Sequence, residues 1–178
     1  GGKGVVGMAT KEEDYLESLF IASTHDYIMF FSNTGRVHRR KGYLIPEAGR
    51  TARGTAIVNV LPLDEGEKIT AMVLAKQQEE ESYLVMVTKL GTVKRLAMST
   101  LDTNRKTGIR ALTLDEGDQL IAVLQTTGKD RVVIATRKGQ AICFDENDVR
   151  PMGREAAGVR GMKLEGDDVV VGAVGADE

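Results

Sequence analysis

The sequence predicts an all-β, propeller-like fold, an incomplete ring of four-stranded antiparallel blades. Three observations carry that expectation. Marker glycines recur at a near-constant period. Each repeat contains short Val/Ile/aromatic runs joined at glycines. The charges segregate in phase with the same period. The 178 residues suffice for one domain with a core of its own.

The period comes first, because a repeat fixes the reading of everything inside it. Gly4, Gly54, Gly108 and Gly158 are 50, 54 and 50 residues apart. Each opens a small or apolar stretch, and Gly4-Val5-Val6-Gly7-Met8 nearly duplicates Gly158-Val159-Arg160-Gly161-Met162. A second marker, Leu63-Asp64-Glu65-Gly66, returns as Leu114-Asp115-Glu116-Gly117 and, shortened, as Leu164-Glu165-Gly166. An apolar run follows each of these: Ile69 to Leu74, Leu120 to Leu124 and Val169 to Val174. The third marker is a tight turn at Asn33-Thr34-Gly35, Lys89-Leu90-Gly91 and Arg137-Lys138-Gly139.

Each tight turn lies between two β-rich runs. Tyr27–Phe31, Tyr83–Val87 and Arg131–Ala135 precede the turns; Val37, Thr92-Val93 and Ala141–Phe144 follow them. Such pairs read as hairpins, with glycine supplying the positive φ of the loop. About four short strands per roughly 50 residues is blade spacing. The expected repeats are 23–74, 75–125 and 126–178, with 1–22 as the tail of a preceding blade. Met8 to Phe20 has a rival helical period, but the repeat register calls for a loop and a strand over Leu16–Ala22.

The net charge of −2 hides a strong segregation. Residues 35–53, 89–110 and 137–163 carry 18 of the 24 Lys+Arg and only 6 of the 26 Asp+Glu. Equivalent positions in a radial repeat fall on equivalent surface, so these windows predict a continuous basic belt. Its expected members are Arg36, Arg39, Arg40, Lys41, Arg50 and Arg53 in the first repeat; Lys94, Arg95, Arg105, Lys106 and Arg110 in the second; and Arg137, Lys138, Arg150, Arg154 and Arg160 in the third, with Lys3 ahead of them. Such a belt attracts a polyanion through counterion release and contacts phosphates without reading bases. Aromatics are 4% and Trp is absent, which argues against the stacking platforms of single-strand binders. No sequence-reading motif is present. Duplex DNA bent along the rim fits best. A solvated charged surface is the plain alternative for any one of these residues; their segregation argues against it for the set.

The residues also resemble a family. Phe30-Phe31-Ser32-Asn33-Thr34-Gly35-Arg36-Val37 and Lys89-Leu90-Gly91-Thr92-Val93-Lys94 are similar to the repeated hairpin motif of the C-terminal domain of the A subunit of bacterial DNA gyrase. Ala52-Arg53-Gly54 through Leu63, and Arg150-Pro151-Met152-Gly153-Arg154 through Met162, resemble other stretches of that repeat. Gly1-Gly2-Lys3-Gly4 matches the end of the family's glycine-rich box; the upstream half is absent. The resemblance covers essentially the whole chain. It implies a β-pinwheel, a ring of blades that exchange strands, with DNA wrapped on the basic edge for negative supercoiling. About six blades are expected in the family, so three repeats and a tail imply part of a longer ring.

The resemblance further implies duplex DNA, the rest of the gyrase A subunit and the gyrase B subunit as partners. It places DNA cleavage and ATP hydrolysis, with their Mg, elsewhere, so no cofactor is expected in this chain. Cytoplasmic, nucleoid-associated localisation follows. The corresponding domain of topoisomerase IV is a close alternative, and a scaffold for an acidic protein is a more distant one.

No catalytic or metal site is expected from the residues themselves. Thr126-Thr127-Gly128-Lys129-Asp130 lacks the first glycine and final Ser/Thr of a phosphate loop. The carboxylate pairs Asp64-Glu65 and Asp167-Asp168 read as turn chemistry. Tyr15, Tyr27, Tyr43 and Tyr83 read as packing residues, and His25 as a turn cap. His38 could face phosphate or pack in a strand. Cys143, the only cysteine, is expected to be a buried small hydrophobe in its strand. It excludes an internal disulfide. No apolar run approaches a membrane span, and no secretory signal pattern opens the sequence.

Overall fold

Each β-rich run becomes one arm of a hairpin. The structure, a computed structural model, describes residues 27–41, 61–75, 81–102 and 107–176. Strands β1 (Tyr27–Ser32) and β2 (Arg36–Lys41) pair across the first turn. Strands β4 (Tyr83–Thr88) and β5 (Thr92–Ala97) pair across the second, and β8 (Arg131–Thr136) and β9 (Ala141–Asp145) across the third. The apolar run after each Asp-Glu-Gly marker returns beside its own hairpin, as β3 (Ile69–Ala75), β7 (Leu120–Thr126) and β11 (Val170–Ala176).

The fourth strand comes from the next repeat. Strand β6 (Ile109–Arg110) adds to β2, and β10 (Val159–Arg160) adds to β5. The sheets therefore run β3-β1-β2-β6, β7-β4-β5-β10 and β11-β8-β9. Strand exchange of this kind makes consecutive sheets inseparable, because one strand of each belongs in sequence to its successor. Strand β7 packs against both β3 and β11, so the three returning strands form the inner side of the stack. The short β6 and β10 lie at the opposite, outer ends.

Burial follows the period-2 alternation of strands. Leu84 and Met86 of β4 join a core with Met29, Phe31, Val37, Leu96, Ile109 and Leu112. Val85 and Val87, their alternates, join a second core with Val93, Val132, Ile134, Met162 and Val170. The middle sheet is thus apolar on both faces, which explains why β4 reads as an unbroken apolar run. Ile28 and Phe30 pack with Leu61 on the far side of the first sheet.

The sequence markers prove to be two halves of one device. The Asp-Glu-Gly turns close with Glu67 N donating to Asp64 O (3.0 Å), Asp118 N to Asp115 O (3.0 Å) and Asp168 N to Glu165 O (3.1 Å). The carboxylate that follows each glycine then reaches the tight turn of the same blade. Asp118 accepts from Leu90 N at 2.9 Å and Asp168 from Lys138 N at 3.0 Å, while Glu67 accepts from the Thr34 hydroxyl at 3.0 Å. Glu67, Asp118 and Asp168 therefore act as turn clamps. Asp168 is held below the ordinary carboxylate range despite the opposing effect of desolvation, because Thr136 and the amides of Lys138 and Val169 donate to it.

The first two tight turns also grip the following blade. Gly35 O accepts from Ala111 N (2.9 Å) and Leu112 N (3.2 Å). Gly91 O accepts from Gly161 N (2.8 Å) and Met162 N (3.3 Å). Both glycines have positive φ, and a Cβ would stand 2.5 Å from Leu112 O at Gly35 and 2.8 Å from Met162 O at Gly91. Gly139 has the same φ with nothing within 4 Å of its Cβ direction.

Cys143 corrects the sequence expectation: it is exposed. Its strand, β9, has no fourth strand beside it among the described residues. Burial at this position depends on a neighbour that local hydrophobicity does not report. The tail expected over 1–22, the strand at Leu16–Ala22, and Tyr15, His25 and Tyr43 lie outside the described residues.

Candidate nucleic-acid interface

The structure divides the predicted belt into an outer set and an inner set. Arg110 and Arg160 are exposed, and both end the outermost strand of their sheets. They are equivalent by register: Arg110 stands opposite Arg36, and Arg160 opposite Thr92 in the next sheet. Arg150, Arg137 and Lys138 are exposed as well, and Arg154 is partly so. Arg36 keeps 41% of its side chain exposed, 3.6 Å from Asp64. Arg137 and Lys138 approach Asp167 at 3.8 and 2.6 Å. The Lys138 ammonium, above other causes, holds the Asp167 carboxyl below its usual range. Exposed pairs of this kind contribute little to stability, so a phosphate can compete for the cations.

Arg39, Lys94 and Arg95 are not surface groups, which corrects their placement in the belt. Arg39 stacks over the Tyr27 ring at 4.6 Å, donates to Leu101 O at 3.2 Å and lies 3.6 Å from Asp102. Arg95 repeats the arrangement one blade on. It stacks over Tyr83 at 4.2 Å, donates to Val149 O at 3.2 Å and lies 3.2 Å from the buried Glu146. Each arginine thus joins its own hairpin to the following blade. The signal was present in the sequence: Tyr27 and Arg39 are separated by 12 residues, as are Tyr83 and Arg95. The third repeat has Arg131 and Cys143 at those places.

Lys94 is fully buried. Its Nζ donates to Ala111 O (2.7 Å), Arg154 O (2.6 Å) and Ala156 O (3.0 Å). Burial pushes the ammonium down to about 8; the three carbonyls receive its charge. His38 occupies the same register position in the first blade. It is buried, its Nδ1 accepts from Gly108 N at 3.2 Å, and its Nε2 lies 3.8 Å from Glu67. Burial, assisted by Arg40 and Arg36, lowers its pKa against the opposing pull of Glu67. Nδ1 is an acceptor, so the imidazole is neutral with its proton on Nε2. His38 is therefore a strand-packing residue and does not face phosphate.

Arg40 is partly buried and donates to Arg39 O (2.8 Å) and Thr107 Oγ1 (2.9 Å). Lys41 ends β2. Lys3, Arg50, Arg53, Arg105 and Lys106, with Gly1, Gly2 and Gly4 of the box, lie outside the described residues. Lys163 and Arg131 are exposed cations that the repeat reading did not single out. Among the described residues, no group of three or more His, Cys, Asp or Glu side chains could hold a metal ion. No described helix is long and apolar enough to cross a membrane.

Comparison with known proteins bears on this arrangement. The sequence matches the family described as "DNA gyrase C-terminal domain, beta-propeller" over residues 1–23, 26–76, 82–127 and 130–174. The DNA gyrase A subunit of Clostridium acetobutylicum is 50% identical over 161 residues, covering 90% of this chain and 19% of the relative. That of Salmonella typhimurium is 46% identical over 174 residues, covering 98% of this chain and 20% of the relative. The chain therefore spans about a fifth of the length of these relatives. The structure resembles the C-terminal domain of DNA topoisomerase IV, with a TM-score of 0.76, 27% identity, and coverage of 87% of this chain and 48% of that one. It also resembles the DNA gyrase A C-terminal domain, with a TM-score of 0.69, 26% identity, and coverage of 86% and 49%. With its three antiparallel sheets, exchanged strands and matched sequence repeats, the chain belongs to the family of DNA gyrase C-terminal, beta-propeller domains.

Proposed function

We propose that this chain binds duplex DNA along the outer ends of its sheets and bends it, as the DNA-wrapping domain of a gyrase A subunit. The observation that carries the reading is the equivalence of Arg110 and Arg160. They are exposed arginines at the same place on the outermost strand of consecutive sheets. A stack that repeats a cation at its outer edge offers phosphates a curved track, and a curved track rewards a bent duplex. The relatives named as gyrase A subunits, at 50 and 46% identity over 90 and 98% of this chain, support the gyrase reading. Gly1-Gly2-Lys3-Gly4, with its likeness to the end of the gyrase box, points the same way.

In this reading the chain contributes geometry and charge. Strand cleavage and ATP hydrolysis, with its Mg, belong to the rest of the A subunit and to the B subunit, in the bacterial cytoplasm at the nucleoid. The binding test is the salt dependence of affinity for a duplex without a chosen sequence. If the exposed cations neutralise about six phosphates, log affinity falls with a slope of about −5 against log salt. A slope near zero contradicts the reading.

A further inference from the structure

Resting on that DNA-binding reading, we infer that Lys94 and Arg95 are positioning residues. From inside the fold, they fix the loop that presents Arg150 and Arg154 at the outer edge. Two hidden cations, on this account, aim two visible ones.

The loop between β9 and β10 has no regular strand of its own to hold it beside β5. Hydrogen bonds from Lys94, Arg95 and Thr113 supply the hold. The Arg95 guanidinium donates to Val149 O at 3.2 Å, beside Arg150. The Arg95 backbone carbonyl accepts from Met152 N at 2.8 Å, and Arg95 bridges Pro151 in parallel sense. Lys94 Nζ then takes Arg154 O and Ala156 O at 2.6 and 3.0 Å. Thr113 adds its hydroxyl to Glu155 O at 2.6 Å.

The third carbonyl on Lys94 gives the arrangement its consequence. It belongs to Ala111, the residue after Arg110. One ammonium therefore ties the backbone at Arg154 to the backbone beside Arg110, which comes from a different blade connection. Fixing those carbonyls fixes the spacing of the two arginines along the edge. Arg95 is itself held by the Tyr83 ring and by the ion pair with Glu146, whose carboxylate accepts from Thr126 Oγ1, Gly128 N and Asp130 N. The charged residues flanking Lys94 and the carbonyls it holds are Arg95, Arg110, Arg154 and Glu155. Its depressed pKa has burial as its cause, so its hold on the loop weakens as pH rises through about 8.

The test is a double-mutant cycle on duplex DNA binding by the 178-residue chain. It compares Lys94→Met with the pair Arg150→Ala/Arg154→Ala at fixed salt. Positioning predicts that each lowers affinity several-fold and reduces the salt slope by about one to two. It also predicts that combining them costs less than the product of the two separate losses, the remainder reflecting the hold on Arg110 through Ala111. Effects that multiply, or a folded Lys94→Met chain that binds as the parent does, overturn the inference.

The parent chain gives a second readout that does not require the Lys94 variant to fold. Its affinity is expected to step down between pH 7.5 and 9, and the step is expected to shrink in Arg150→Ala/Arg154→Ala. A step that persists at full size in that variant overturns the inference. A parent chain with no salt-dependent binding overturns the DNA reading itself, and this inference with it.

Discussion

Replacing Gly91 and Gly139 separately by alanine measures how tightly consecutive blades are docked. The two glycines occupy equivalent tight turns, and both have a φ of +95°. Strain from the left-handed backbone is therefore common to both, about 1–2 kcal/mol. The surroundings differ. At Gly91 the new methyl would stand 2.8 Å from Met162 O, a backbone atom of the next blade. Relief requires that segment to retreat, which strains the bonds from Gly161 N and Met162 N to Gly91 O. At about 1 kcal/mol for each hydrogen bond, Gly91→Ala is expected to cost about 3–4 kcal/mol in all. Gly139 has open space in that direction, so Gly139→Ala is expected to cost the backbone strain alone. The difference of about 2 kcal/mol corresponds to about 4–8 °C in Tm for a chain of this size. Thermal and urea unfolding of the two variants read it directly. Equal losses would refute the claim that the tight turns hold one blade to the next.

Three further outcomes are expected. Arg95→Met is expected to destabilise the chain by about 3–5 kcal/mol, because it strands the buried Glu146. Arg39→Met is expected to cost less, since Asp102 is 82% exposed and remains solvated; urea unfolding would contradict this if the order were reversed. Stability is expected to fall as pH drops below about 6.5. The His38 pKa is lowered in the folded chain, so the unfolded chain takes up the proton first and the stabilisation present above 6.5 is lost. His38→Gln is expected to flatten that part of the profile, and an unchanged profile would assign it to other groups. Cys143, exposed on β9, is expected to react with a thiol reagent in the native chain; labelling seen only after unfolding would contradict its placement.

The strands were legible because their signals are local. Tyr83–Thr88 is apolar on both faces, and glycine marks the turn that follows it. Strand exchange was not visible in periodicity alone: Ile109-Arg110 gives too short a run to show which hairpin it joins. The failure at Cys143 has the same origin, since the exposure of an edge strand depends on a segment from another repeat. The belt was legible as a charge pattern but not as a surface. Arg39, Lys94 and Arg95 fall in the basic windows, yet both faces of β2 and β5 are covered by neighbours. Two cues separate them from Arg110 and Arg160. The Tyr–Arg spacing repeats in two blades, and the Lys94 position holds His38 and Ile142 elsewhere. A position that must meet phosphate in every blade would not tolerate isoleucine in one of them.

The central proposal is that this chain wraps duplex DNA around its outer edge. Linking number tests it most directly: nicked circular DNA is bound by the chain, ligated, stripped of protein and resolved into topoisomers. The account predicts a shift of one sign that grows with the amount of bound chain and fades as salt is raised. Salt-sensitive binding with an unchanged topoisomer distribution would contradict it, leaving a basic surface that holds DNA without wrapping it.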